Sequence, residues 1–124
     1  GATPLMGAID HGLDWVAELL LARKDIQPSI PDKDGDTALL CATGLGLTRH
    51  SVAKLLLARD DVNLDCRNKY GETALMWACK DGWTDLVQKL LESPTVDRTT
   101  KDCHGKNASW WAANRLHVAI MNLL

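Results

Sequence analysis

The chain has 124 residues, of which 46% are apolar and 24% are charged, with 14 basic and 16 acidic side chains. This length and composition suit one folded domain and exclude a disordered, collagen-like or disulfide-dense chain. The formal net charge of −2 provides no attraction to nucleic acid or to an anionic membrane surface, so we expect neither as a partner. The aromatic residues are five tryptophans and one tyrosine, with no phenylalanine.

A short segment that begins with glycine recurs along the chain, and its first glycines are 34, 36 and 34 residues apart. The copies are at 1–12, 35–46 and 71–82, with a weaker copy at 105–116. Each copy leads into a second apolar segment, and a repeat of this period indicates stacked supersecondary units. The predicted single domain, 1–124, is divided into repeats 1–34, 35–70 and 71–104 and a partial repeat 105–124.

Both apolar segments of each repeat are predicted to be helices. In the first segment Leu5 and Ala8 lie at i and i+3, and in the second Val52, Leu55 and Leu56 form the stripe of a half-buried helix. Threonine precedes the first helix and suits an N-cap, while glycine follows it and suits a left-handed terminating residue. The predicted caps are Thr3, Thr37 and Thr73, and the predicted terminating glycines are Gly12, Gly46 and Gly82.

The repeated segments resemble the ankyrin repeat family over essentially the whole chain. The match rests on G-x-T-P-L at 1–5, on G-x-T-A-L at 35–39 and 71–75, on the glycine turns, on the paired leucines and on a D-V/I-N block. The resemblance implies an all-α solenoid of helix–turn–helix units that are joined by short β-hairpin loops.

The copies also depart from the pattern of that family. The usual histidine after T-P-L is absent, so we expect apolar contacts between repeats at that position. In the fourth copy Asn107 stands in place of the capping threonine, and Leu116 stands in place of the turn glycine. The residues at the histidine position are Met6, Leu40, Met76 and Trp110.

No motif in the sequence indicates catalysis, and we predict neither an enzyme nor a cofactor. The acidic stretch 32–36 is similar to the start of a calcium loop, but Thr43 stands at the twelfth position, where a bidentate glutamate is required. We interpret the stretch as an acidic hairpin and predict no metal site. Four cysteines without a C-x-x-C pair or a signal peptide indicate reduced thiols in an intracellular protein, in the cytoplasm, the nucleus or both.

The resemblance implies that another protein binds the concave face formed by the hairpin tips and the first helices. Tyr70 is the strongest single candidate, because it lies at a variable hairpin tip and tyrosine is enriched in binding hot spots. Its alternative role is packing on the neighbouring hairpin. The candidate partner-binding residues are Lys33, Asp34, Asp36, Lys69, Tyr70, Glu72, Lys80, Asp81, His104, Lys106, Asn114 and Arg115.

The predicted function is a non-catalytic protein–protein interaction module. The alternative is a targeting or regulatory segment of a larger multidomain enzyme or effector, and a structural spacer or engineered scaffold is a third class that the irregular repeats disfavour. The repeats have net charges of −3, +1, −2 and +2, so we expect a partner of mixed polarity. We expect a monomer, with the apolar C-terminal end as the surface available for end-to-end contacts.

Two further sets of residues have alternative interpretations. Asn63 follows a pattern similar to the ankyrin site of an asparaginyl hydroxylase, but an asparagine here also fixes a turn through its side chain. Among the tryptophans, Trp77, Trp110 and Trp111 are assigned to packing between repeats, and Trp83 is expected to be partly exposed in a turn. Trp15 is either an exposed anchor or a cover for the N-terminal end, and we favour the cover.

Overall fold

The computed structural model describes residues 3–23, 25–44 and 50–124. Within these ranges the chain forms helices in four pairs and no strand, so the predicted all-helical class is confirmed. The expected hairpin loops are present as turns without strand pairing. The helices are α1 (Pro4–Asp10), α2 (Asp14–Leu21), α3 (Ala38–Gly44), α4 (His50–Leu57), α5 (Ala74–Asp81), α6 (Thr84–Glu92), α7 (Ala108–Asn114) and α8 (Val118–Leu123).

The helices lie in two layers, with the first helix of each pair in one layer and the second helix in the other. In the first layer α1 contacts α3, α3 contacts α5, and α5 contacts α7. The second layer runs from α2 through α4 and α6 to α8 in the same way, and each helix also contacts its own pair member. Contacts between neighbouring units of this kind are typical of a repeat solenoid.

A continuous apolar core lies between the two layers and includes residues from all four helix pairs. Complete burial of one leucine, isoleucine or valine side chain in such a core stabilises a fold by about 1.5–3 kcal/mol. At the histidine position, where the sequence predicts apolar contacts between repeats, Met6, Leu40 and Met76 are all buried, and Met6 and Leu40 belong to the core. Among the largest fully buried side chains are Leu5, Ile9, Leu39, Leu56, Leu86, Leu90 and Ile120.

The predicted N-caps are confirmed. Thr3, Thr37 and Thr73 each accept a hydrogen bond through Oγ1 from the backbone N–H three residues later. Asn107 replaces threonine in the fourth unit, and its Oδ1 accepts from the Trp110 N–H at 2.9 Å. Each bond satisfies one of the N–H groups that a helix start leaves without an intrahelical partner.

The turns that follow the first-layer helices use a left-handed residue. Gly12 has φ 74° and Gly82 has φ 76°, as the sequence predicts, while Gly46 lies outside the described residues. Leu116 occupies the equivalent place in the fourth unit and adopts φ 58°. At Gly82 the positive φ favours glycine, and an added Cβ atom would lie 2.7 Å from Cε1 of His117, so the His117 ring would have to move.

The tryptophans divide differently from the prediction. Trp83 is only 3% exposed, so its predicted partial exposure is wrong. The Trp83 N–H bonds to the Ala78 carbonyl at 2.9 Å, so the turn folds back on α5 and the indole joins the core. Trp15 is 65% exposed on α2, whose buried residues are Ala17 and Leu21, so it is a surface side chain rather than a cover.

The remaining three indoles lie near one another. Trp77 and Trp111 are partly buried and pack against the core, while their packing between repeats stays a prediction. Trp110 is 38% exposed and meets the Trp111 ring edge-on at 4.9 Å, within its own repeat. The ring contact of Trp110 thus lies within its own repeat and differs from the predicted packing between repeats, although Met6, Leu40 and Met76 are buried at the equivalent place. No helix within the described ranges is long and apolar enough to cross a membrane.

Candidate functional site

The hairpin turns 32–36, 68–72 and 102–106, together with the first-layer helices that adjoin them, form what we call the hairpin face. Each turn is closed by one acidic or amide side chain, Asp32, Asn68 or Asp102, whose Oδ1 accepts two backbone N–H groups from the same turn. These bonds are 2.9–3.0 Å long. An Asx side chain in this role fixes the turn, so the tips have a defined geometry before any partner arrives.

Neighbouring turns are joined by backbone hydrogen bonds. The Lys69 N–H donates to the Asp34 carbonyl at 2.8 Å, and the Cys103 N–H donates to the Tyr70 carbonyl at 2.8 Å. In addition, Nδ2 of Asn68 donates to Asp36 at 3.1 Å and to Glu72 at 3.0 Å. The three turns therefore form one connected row in which Asp34, Asp36, Lys69, Tyr70 and Glu72 have fixed relative positions.

The tips of the first two turns are linked by an exposed ion pair. Nζ of Lys69 lies 2.8 Å from Oδ1 of Asp34, and this bond lowers the pKa of Asp34 and raises that of Lys69. The same ammonium lies 5.1 Å from the centroid of the Tyr70 ring. Tyr70 itself is 52% exposed, which fits the predicted surface role better than the alternative of packing on a neighbouring hairpin.

The first turn brings three carboxylates together. Oxygen atoms of Asp32, Asp34 and Asp36 lie within 4.8 Å of one another. All three are already engaged, because Asp32 caps the turn, Asp34 pairs with Lys69 and Asp36 accepts from Asn68. Partial burial raises the pKa of Asp36, and the bond from Asn68 acts in the opposite direction. This arrangement matches the acidic hairpin that the sequence indicates.

One position of the first-layer helices differs strongly among the units. Gly7, Cys41, Trp77 and Trp111 are spaced by 34, 36 and 34 residues and occupy equivalent places in α1, α3, α5 and α7. At Gly7 an added Cβ atom would meet nothing within 4 Å, so there is open space beside the first of these four positions, which we call the column. The column therefore changes from small side chains in the first two units to indoles in the last two.

We call the part of the hairpin face that belongs to the first two units its N-terminal half. This half is acidic around Cys41. Burial raises the pKa of the Cys41 thiol to about 12, and the negative charges of Asp10, Asp36 and Asp32 contribute to the rise. A thiol with so high a pKa stays protonated at neutral pH, and the protonated form is not nucleophilic. Cys41 therefore does not point to catalysis.

The part of the hairpin face that belongs to the last two units, its C-terminal half, combines lysines with aromatic rings. Nζ of Lys80 lies 4.7 Å from the centroid of Trp77 and 4.9 Å from that of Trp111, between two rings that belong to successive units. Nζ of Lys106 lies 4.4 Å from the centroid of Trp110. These separations are within the range of cation–π attraction.

The third turn supports this arrangement through Asp102, which is 7% exposed. Nε1 of Trp111 donates to Oδ2 of Asp102 at 3.3 Å. Burial alone would raise the pKa of Asp102, but the backbone N–H groups of Lys106 and His104 and the Trp111 indole lower it below its ordinary value. The carboxylate therefore stays ionised and holds both the turn and the indole.

Further charged groups surround the Lys80 position. Desolvation raises the pKa of Asp81, while Lys80, Arg115 and His117 lie close enough to act in the opposite direction. A ring nitrogen of His117, Nε2, is 3.2 Å from the Lys80 carbonyl oxygen. Of the other predicted residues, Lys33, His104 and Asn114 are exposed, and their side chains form no hydrogen bond within the described residues.

Sequence reasoning missed Trp77 and Trp111 as parts of the candidate site and treated them as packing residues. Two signals could have identified them: Lys80 lies at i+3 from Trp77, and Trp111 follows Trp77 after one repeat period. The predicted binding residues also form two separate clusters on the hairpin face and not one. Asp34, Asp36, Lys69 and Glu72 meet at the first two turns, whereas Lys80, Asp81 and Arg115 meet between α5 and α7.

Asn63 lies outside the hairpin face. Its side chain is exposed, and its Oδ1 accepts from the Asp65 N–H at 3.0 Å in the Asx manner that the sequence suggests. Its own N–H donates to Ser29 of the preceding unit at 2.8 Å. Hydroxylation of Asn63 stays a prediction.

The second layer presents a separate groove of about 570 Å³ between α4 and α6. None of the predicted binding residues lines it. Its charged lining residues are Lys54, Arg59, Asp60, Lys89 and Glu92, which have both signs. The groove thus provides no concentration of one charge.

Two layers of helix–turn–helix units with a connected row of turns define a repeat solenoid. The family described as Ankyrin repeats (3 copies) matches residues 47–124. The chain belongs to the ankyrin repeat family.

A solved structure gives the same fold. The crystal structure of EF0377, an ankyrin repeat protein, is similar to this chain with a TM-score of 0.86 and 23% sequence identity. The match covers 97% of this chain and 59% of that one, so this chain spans little more than half the length of that protein. At this identity the likeness shows the fold alone. No curated protein matches the sequence.

Proposed function

We propose that this chain is a non-catalytic protein-interaction module that binds a segment of another protein on its hairpin face. Ankyrin repeats are in general protein–protein interaction modules, and the family is typically non-catalytic. The observation that supports this face is its row of turns, joined by backbone hydrogen bonds and fixed by Asp32, Asn68 and Asp102. A surface ordered in advance loses little conformational entropy on binding.

The charges of the face favour a partner segment of mixed polarity. Asp10, Asp32 and Asp36 surround the N-terminal half, whereas Lys80 and Lys106 lie on the C-terminal half. A uniformly charged partner would be repelled by one half. We further propose that the protein acts as a monomer in the cytoplasm or the nucleus and that it binds neither nucleic acid nor a membrane.

Affinity capture from the source cell tests the face. The full chain is compared with a Lys69→Ala, Tyr70→Ala double variant and with a matched Lys54→Ala, Lys89→Ala variant on the second layer. We expect the first variant to lose specific proteins that the wild-type chain and the second variant retain. Equal recovery by all three chains would show that the hairpin face is not the binding surface.

A further inference from the structure

We propose that Lys80 is the anchor for a carboxylate side chain in an acidic segment of the partner protein. The inference depends on the proposed function and adds the chemistry of the partner at one position. Its basis is the placement of one ammonium group between Trp77 of α5 and Trp111 of α7. Neither the repeat pattern nor the family predicts this pair of rings, because the equivalent positions in α1 and α3 are Gly7 and Cys41.

The two rings hold the ammonium group in place before binding. A free lysine has many rotamers, and their loss on binding opposes the formation of an ion pair. Here the Lys80 side chain is half-buried, and Nζ already lies within 4.9 Å of both ring centroids. Trp111 is itself fixed through Asp102, so the position of the cation is determined by two successive units.

The ammonium group remains available for an anion. Lys80 forms no ion pair within the part of the chain that the structure describes, whereas Lys69 pairs with Asp34. Cation–π attraction uses the charge of the ammonium group without replacing the oxygen acceptors of its N–H groups. A carboxylate from a partner can therefore accept a charge-assisted hydrogen bond. Lys106 and Arg115 add positive charge to the same region, and Asp81 adds one negative charge that interacts with Lys80 without forming an ion pair with it.

An acidic peptide fits this region better than the phosphate backbone of a nucleic acid. Trp77, Trp110 and Trp111 each have a lysine over the ring, so a base could not stack on the ring face that the lysine covers. A longer polyanion would also meet Asp10, Asp32 and Asp36 on the adjoining half.

Selection from a random peptide library displayed on phage tests the inference with the full chain. We expect the enriched peptides to share an Asp or Glu, and a synthetic copy with that residue changed to Gln or Asn to bind at least about tenfold more weakly. The Lys80→Gln variant is expected to lose a similar factor. The matched Lys89→Gln variant, exposed on the second layer, is expected to change the Kd by less than about twofold.

The outcomes separate the two proposals. Peptides that bind the hairpin face but lack an acidic residue, or that bind Lys80→Gln as tightly as wild type, would overturn the role of Lys80 and leave the proposed function standing. Two results would overturn both the role of Lys80 and the proposed function. One is that the Lys69→Ala, Tyr70→Ala double variant and the Lys80→Gln variant bind the selected peptides as tightly as wild type, and the other is that no peptide is enriched. Tighter binding of a single-stranded oligonucleotide, lost in Lys80→Gln, would replace the peptide with a nucleic acid.

Discussion

The two halves of the hairpin face differ in what occupies one position of the repeat. In the first two units this position has Gly7 and Cys41, with carboxylates nearby. In the last two units it has Trp77 and Trp111, with the ammonium group of Lys80 between them. The backbone scaffold is the same in both halves, so the chemistry of the surface is set by single side chains at a repeated place. A repeat protein can thus vary its surface without changing its fold.

The largest expected effect is the loss of the Trp111 ring. Trp111→Ala removes a partly buried indole together with its contacts to Lys80, Trp110 and Asp102, and we expect a cost of about 2–3 kcal/mol, below the cost for a fully buried ring. Cys41→Ala at the equivalent place is expected to cost less than about 1 kcal/mol. Urea unfolding followed by circular dichroism measures both. Equal losses would remove the energetic contrast between the halves.

Trp15→Ala is the matched control for the loss of an indole. Because this side chain is 65% exposed, we expect the free energy of unfolding to change by less than about 0.5 kcal/mol. A cost comparable with that of Trp111→Ala would mean that Trp15 covers apolar surface after all.

The next effect concerns the third turn. Asp102→Ala removes the acceptor of two backbone N–H groups and of the Trp111 indole, and we expect a loss of about 1–2 kcal/mol in the free energy of unfolding. Asp102→Asn is expected to cost less, because Asn68 closes the second turn with the same pair of bonds. Thermal and urea unfolding distinguish the two variants, and identical losses would contradict the turn-closing role.

Asp102 also predicts a pH dependence of stability. Its pKa is lowered in the folded state, so its contribution is present above the unfolded-state value near 3.8 and is lost as the pH falls through the lowered folded-state value. We expect wild type to lose more stability than Asp102→Asn between pH 5 and the acid end of the titration. Parallel pH profiles for the two chains would show that Asp102 is not held ionised by the turn.

At the fourth helix–helix turn we expect a smaller change in the free energy of unfolding, and this change is a gain in stability. Leu116 is 80% exposed and adopts φ 58°, which is strained for a side chain with a Cβ atom. Leu116→Gly removes that strain, which raises the free energy of unfolding. Glycine also increases the entropy of the unfolded chain, which lowers it by a smaller amount, so we expect a net stabilisation of about 0.5–1 kcal/mol. Gly12→Ala, at φ 74° in the first unit, is expected to destabilise. A destabilised Leu116→Gly chain would indicate a contact that its exposure conceals.

The smallest effect is at the exposed Lys69–Asp34 pair, where the two halves adjoin. Lys69→Ala removes the bond that lowers the pKa of Asp34, so we expect that pKa to rise towards its ordinary value while Tm hardly changes. Carboxyl chemical shifts recorded across an acid titration measure the first quantity, and calorimetry measures the second. An unchanged Asp34 pKa would show that the pair does not persist in solution.

Much of the fold follows from short stretches of sequence. The threonine or asparagine before each first-layer helix is its N-cap, because the cap bond closes within one helical turn. The second-layer helices α2, α6 and α8 follow Leu13, Trp83 and His117, which form no side-chain cap bond. Gly12 and Gly82 mark the ends of their helices for an equally local reason, since only glycine adopts positive φ without strain. The turn at Leu116 does not follow from this local preference, because it forms at φ 58° without a glycine; the next residue, His117, contacts the Lys80 carbonyl of the preceding unit.

The candidate site was less accessible from the sequence. The alignment of repeats correctly placed Lys69 and Tyr70 at an exposed tip, because every tip follows the same spacing. It failed for Trp83, whose burial depends on how the turn after α5 folds back onto the core. It also could not show that Asp34 pairs with Lys69, since an ion pair requires the distance between two separate turns.

The sequence by itself therefore determined the repeat, the helix pairs, the caps and the family, because each is encoded by residues within a few positions or by one fixed period. Only the tertiary structure decided which indoles are buried and where Lys80 lies. Those facts depend on the angle and distance at which successive units stack, and this stacking brings the rings of Trp77 and Trp111, 34 residues apart in sequence, within 4.9 Å of one ammonium group.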